Sequence, residues 1–194
     1  MGFKCFKQCI GLAILRNYSS YQYKYNSKLE ELINRQIQAE QQAAQDYLNI
    51  AVYFLYTPTF RPGAGGCFMA MYKEELDHMQ DCINYQLMRG GLPIISGLKP
   101  PVQHKNLKLI DAFKLSLKME KDITELLEET VCVANQLNDY QCADFITAAF
   151  LTEQMQAVQS ISRHITRLTL LGDNEHAVYD YDLQLAKDFP YSEK

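Results

Sequence analysis

The 194-residue chain has no apolar run long enough to cross a bilayer; the longest, residues 50–56, falls far short of the ~20 residues that a spanning helix needs. It has no excess of positive charge either, and a formal net charge of −4 argues against a general nucleic-acid surface. Its six cysteines (Cys5, Cys9, Cys67, Cys82, Cys132, Cys142) are scattered. No Cys-x-x-Cys spacing points to zinc or to a dithiol site, and no disulfide framework is visible. No apolar–polar alternation is long enough to make a strand, and there is no internal repeat or low-complexity tract. The first acid is Glu30, so residues 1–28 carry only positive side chains: Lys4, Lys7, Arg16, Lys24 and Lys28.

That acid-poor segment has Phe3, Phe6, Ile10 and Ile14 at helical spacing. Amphipathic, basic and Ser-containing, it reads as a mitochondrial transit peptide, with processing after Tyr18 in Arg16-Asn17-Tyr18-Ser19. The alternatives are a secretory signal, which Arg16 closes too early, and a cytosolic arm. Residues 1–26 are therefore a targeting segment and arm, residues 27–188 one helical domain, and residues 189–194 a tail.

The chain as a whole, 47% hydrophobic and 22% charged, suits a domain that buries ~70% of its extended surface. Its apolar residues recur at steps of three and four, which on a helix make one face. The first helix is expected from Ser27, with Ser27-Lys28-Leu29-Glu30 as a capping box. Its stripe is Leu29, Ile33, Ile37, Glu40, Ala44, Tyr47, Ala51 and Phe54. Thr57-Pro58 and Arg61-Pro62-Gly63 separate it from a second helix that ends at Arg89, before Gly90-Gly91 and Pro93. A long connection, residues 92–107, makes a crossover that leaves the third helix parallel to the second. The third helix (residues 106–137) carries Leu109, Phe113, Ser116, Glu120, Ile123, Leu127, Val131 and Ala134. The fourth (residues 140–171) carries Thr147, Phe150, Gln154, Ala157, Ile161, Ile165 and Leu168. A short fifth helix follows at residues 175–187. The fold class is all-α, a four-helix bundle with one long crossover and a short C-terminal helix.

Each long helix places polar residues on its core stripe. They are Glu40 with Tyr47, Glu75 with His78, Glu120, and Gln154. In Glu74-Glu75-Leu76-Asp77-His78 the Glu-x-x-His spacing puts an oxygen and a nitrogen donor one turn apart on the stripe Met71, Glu75, His78, Cys82, Tyr85. Taken alone, each polar residue reads as a satisfied core group, and Glu75 with His78 as a buried pair or as a stripe turned to water. Together, three carboxylates converging in a bundle interior cannot all ionise unpaired. A cation compensates them, and oxygen-rich ligation with one imidazole suits iron or manganese. Donors suffice for two ions if Glu75 bridges.

At residues 27–188 the chain resembles ferritin of the animal heavy-chain type. The resemblance is carried by Ile33-Asn34-Arg35-Gln36-Ile37, Glu74-Glu75-Leu76-Asp77-His78, Arg89-Gly90-Gly91, Glu120-Lys121, Asp144-Phe145-Ile146 and Leu151-Thr152-Glu153-Gln154. With the N-terminal segment it resembles the mitochondrial members of that type. The resemblance implies a ferroxidase, with Fe²⁺ and O₂ as substrates and transient di-iron as the only cofactor. One iron would take Glu40, Glu75 and His78. The second would take Glu75 and Glu120, with Gln154 beside it, Glu74 assisting and Tyr47 hydrogen-bonded within the site.

The resemblance further implies a 24-subunit cage, homomeric or mixed with other ferritin subunits, with no nucleic-acid or membrane partner. The N-terminal segment implies residence in the mitochondrial matrix, against secreted or cytoplasmic alternatives. Asp144 would serve the iron channel, where Thr147 replaces a usual Glu. Glu74 and Asp77 would nucleate mineral, with Gln80 in place of a third acid. Asp182 and Ala186 would stand where a pore is usually lined by Leu and His. Two rival functions are a catalytically silent structural cage subunit, against which the intact carboxylate set speaks, and a four-helix cytokine, in which core carboxylates have no purpose.

Overall fold

A computed structural model describes residues 24–192. The expected targeting segment and its processing point after Tyr18 lie outside the described residues. Within them every regular element is helical: α1 (Ser27–Leu55), α2 (Pro62–Met88), α3 (Leu109–Gln136), α4 (Tyr140–Ile146), α5 (Thr152–Leu171) and α6 (Glu175–Asp188), with a single 3₁₀ turn at Thr57–Thr59. A π-helical turn, Thr147–Leu151, joins α4 to α5. The four long rods are α1, α2, α3 and the α4–α5 pair, as the stripes require.

The α1 stripe is buried in full, from Leu29 to Phe54, and Phe54, Phe68 and Phe113 stack across the core at 5.8 and 5.1 Å. The cap is one residue earlier than expected. Asn26, in extended conformation, accepts from Lys28 N at 2.8 Å, so Ser27 is already helical and the capping box does not form. Glu30 instead accepts from Leu92 N at 2.9 Å, fastening the start of the crossover. The third helix likewise begins at Leu109 rather than 106, after an extended Lys108.

The crossover is laid along α1 by a ladder of side-chain amides that the sequence reading left unassigned. Asn34 bonds Leu92 O (3.1 Å) and Ile94 N (2.8 Å), Gln42 bonds Lys99 N (2.8 Å), and Asn49 bonds Val102 O (2.8 Å). The paired numbers rise together, so the crossover runs the same way as α1 and returns the chain to the end where α2 began. The third helix is therefore parallel to α2, as a long connection demands.

Two expectations about the last helices are corrected. The fourth rod is not a continuous α-helix. The π turn inserts an extra residue, so the buried series runs Ile146, Phe150, Gln154, Ile161, Leu168, and Thr147 is exposed. Asp182 does not face outward, and Ala186 is half-buried. Asp182 is wholly buried and accepts from Gly63 N (3.3 Å) and Ala64 N (2.7 Å), supplying the N-terminal cap that Arg61 does not give α2. Glycine makes this close approach possible, because a Cβ at Gly63 would stand 2.0 Å from the Asp182 carbonyl oxygen.

Candidate metal centre

Four helices bring the polar members of the stripes together inside the bundle. One ligand atom each from Glu40 on α1 and from Glu75 and His78 on α2 lie within 4.8 Å of one another. Glu40 is fully buried and Glu75 nearly so, while His78 is half-buried. His78 Nδ1 stands 3.4 Å from Glu75 Oε2, the one-turn relation that Glu-x-x-His predicts. The edge of Phe150 covers the imidazole, with ring centroids 5.6 Å apart.

Glu120 on α3 belongs to no group of three donors within common reach. Its two carboxylate oxygens are engaged separately, Oε1 by the Tyr47 hydroxyl and Oε2 by the Gln154 amide, which also donates to the Glu120 carbonyl at 3.1 Å. Its link to Glu75 is both electrostatic and a carboxyl–carboxyl hydrogen bond: after burial, the Glu120 charge contributes most to pushing the Glu75 carboxyl up to about 8, and the hydrogen bond adds to the rise. Burial likewise holds Glu40 well above the usual carboxylate range, with the charge of Glu75 adding to it. Burial also raises the Tyr47 phenol, again with help from Glu120. These acids are thus poised to hold protons or to exchange them for a cation.

The donor set fits a cation of iron's type. Glu40 Oε2 is buried with no amide or hydroxyl donor, Oε1 accepts from Gln36 Nε2 at 2.7 Å, and the carboxyl otherwise meets only that of Glu75. A carboxylate oxygen aimed into a cluster of metal-ligating groups and left without such a donor is what a hard or borderline metal completes.

A second group, Glu74, His78 and Glu153, lies at the rim and shares the imidazole, whose Nε2 is 3.5 Å from Glu153 Oε2. Burial raises the Glu74 carboxyl, and the charge of His78 opposes that rise. The sequence reading missed Glu153 because it sits beside Gln154 but off the buried stripe, and only the fold brings it to His78. It also missed Gln36, whose signal was its place one turn before Glu40. Asp77 and Asp144 are exposed and belong to neither group.

A helical bundle with an internal cluster of carboxylates and one histidine has the donor set of a carboxylate-type metal protein. A ferritin-like domain model matches residues 30–171. Relatives include ferritin-3, chloroplastic, of Vigna unguiculata, 31% identical over 94% of this chain and 72% of its own length. The soma ferritin of Lymnaea stagnalis is 30% identical over 79% of this chain and 88% of its own length. The ferritin middle subunit of Salmo salar is 28% identical over 84% of this chain and 94% of its own length. The chain belongs to the ferritin family, which handles and stores iron.

Proposed function

We propose that this chain is a ferroxidase subunit of the heavy-chain type, which oxidises Fe²⁺ with O₂ and passes Fe³⁺ to a mineral inside a 24-subunit cage. The observation that carries the reading is the buried Oε2 of Glu40, without an amide or hydroxyl donor, set against Glu75 and His78. Glu40, Glu75 and His78 hold the first Fe²⁺. Glu75 also reaches a second, held with Glu120 beside Gln154. Each Fe²⁺ yields one electron, so O₂ takes two electrons and two protons and leaves as hydrogen peroxide. The carboxylates favour the ferric product by charge, and Tyr47 keeps the Glu120 carboxylate oriented.

Around this centre, Glu74 and Glu153 stage iron at the rim, Asp144 draws it in, and Glu74 and Asp77 seed mineral. The chloroplastic relatives support an organelle-targeting presequence on residues 1–18, and we assign the mitochondrial matrix as its destination. The test is stopped-flow oxidation at two Fe²⁺ per chain. The paired change Glu75→Lys with His78→Gly keeps a positive charge among Glu40 and Glu120 and is expected to assemble. A burst in wild type and its loss in the assembled variant is the expected result. Equal bursts overturn the site, and equal slow rates make the chain a structural subunit.

A further inference from the structure

We infer that Gln36, to which no role has been given, is the positioning residue that decides which oxygen of Glu40 faces iron; the inference rests on the ferroxidase reading. Gln36 lies one turn before Glu40 on α1 and is fully buried. Its Nε2 donates to Glu40 Oε1 at 2.7 Å, and its own Oε1 is buried with no hydrogen-bond partner. That asymmetry fixes the amide. Turned over, its carbonyl would face the carboxylate formed when a cation displaces the proton of Glu40, acceptor against acceptor, whereas the observed orientation donates to it. With Oε1 held, Oε2 is the oxygen free to meet Glu75 and His78.

The arrangement has a counterpart across the centre. Gln154 grips Glu120 Oε2 as Gln36 grips Glu40 Oε1, so each outer carboxylate is held by one buried amide. At Glu120 the Tyr47 hydroxyl takes the other oxygen, and at Glu40 no amide or hydroxyl does. Apart from the carboxyl of Glu75, with which Glu40 shares a hydrogen bond, Gln36 is the side chain that bonds Glu40 among the described residues. Losing it would free Glu40 to rotate and to offer either oxygen, or neither, to the metal.

The experiment is an anaerobic Co²⁺ titration of the assembled full chain, followed by visible absorption. Co²⁺ accepts the same oxygen and imidazole donors and reports its coordination. Gln36→Met has nearly the same shape and lacks the amide, so the donor to Glu40 is gone. It should weaken the site that includes Glu40 by about 10- to 100-fold, the usual cost of losing a partner that orients a ligand. The site that includes Glu120 should keep its affinity. Glu40→Gln should weaken that same first site. If Gln36→Met does not assemble, Gln36→Asn, whose amide is one methylene too short, is titrated with the same expectation. Wild-type affinity and an unchanged spectrum at both sites in the substituted protein would overturn the inference. Wild type that binds no Co²⁺ in the bundle overturns the ferroxidase reading beneath it, and does so before any substitution is compared.

Discussion

Replacing Asp182 should loosen the junction where α6 closes the bundle, and the size of the effect follows from its contacts. The Asp182 carboxylate accepts from Gly63 N at 3.3 Å and Ala64 N at 2.7 Å in a buried setting. In Asp182→Ala these two amides lose their acceptor, at about 1–3 kcal/mol for each donor left buried and unpaired. The interaction of a negative charge with the first turn of α2 is lost as well, at about 0.3–1 kcal/mol. Part is offset, because burial also raises the carboxyl of Asp182 and its ionised form is costly there. A net loss of about 2 kcal/mol raises the opening of this junction ~30-fold. Asp182→Asn keeps an acceptor for Ala64 N and should lose less than half as much. Gly63→Ala should act in the same direction without touching a carboxylate, because its Cβ meets backbone at 2.0 Å and α6 must shift. The assay is amide hydrogen exchange of the assembled protein, read at residues 63–66 and in α6. Unchanged protection in Asp182→Ala would refute the cap, and unchanged protection in Gly63→Ala would refute the close approach.

The metal-free protein should lose stability as pH rises. The folded Glu75 carboxyl, at about 8, lies above its ordinary 4.5, and Glu40 is raised as well, so the folded chain binds more protons than the unfolded one between these values. The favourable contribution is fully present below about 4.5 and is lost as pH rises through about 8. Thermal melting of the apo protein should therefore begin lower at the upper end of this window than at the lower, and Zn²⁺ should flatten the dependence; melting that rises with pH in the apo protein would contradict the buried cluster. Iron uptake should depend on Asp144, with Asp144→Asn slowing it several-fold and Thr147→Glu, which adds a charge one turn on, speeding it. Uptake kinetics insensitive to both changes would place the iron path elsewhere.

The parts of this fold that were legible were those set by periodicity. Glu40, Glu75, Glu120 and Gln154 could be found because each interrupts an apolar stripe at a step of three or four, and burial of the stripe carries the polar residue inward. The start of α1 turned on two adjacent good caps, Asn26 and Ser27, and only backbone conformation chose between them. The π turn left no mark on the stripe, since Thr147 falls in phase with Phe150 in an ideal helix. Asp182 was placed by resemblance rather than by chemistry. The better signal lay in Gly63, Gly65 and Gly66 inside the first turns of α2. Glycine is a poor helix former, and a cluster of it there marks a close neighbour. Glu153 and Gln36 needed the fold, because what matters is the atom each one reaches.

The most direct measurement is anomalous scattering at the iron edge from crystals of the protein soaked anaerobically in Fe²⁺. Two iron peaks per chain are expected inside the bundle, one touching Glu40 Oε2, Glu75 and His78, the other between Glu75 and Glu120. Iron found only at the rim with Glu74, His78 and Glu153, or absent from the bundle at saturating Fe²⁺, would contradict a ferroxidase centre in this chain.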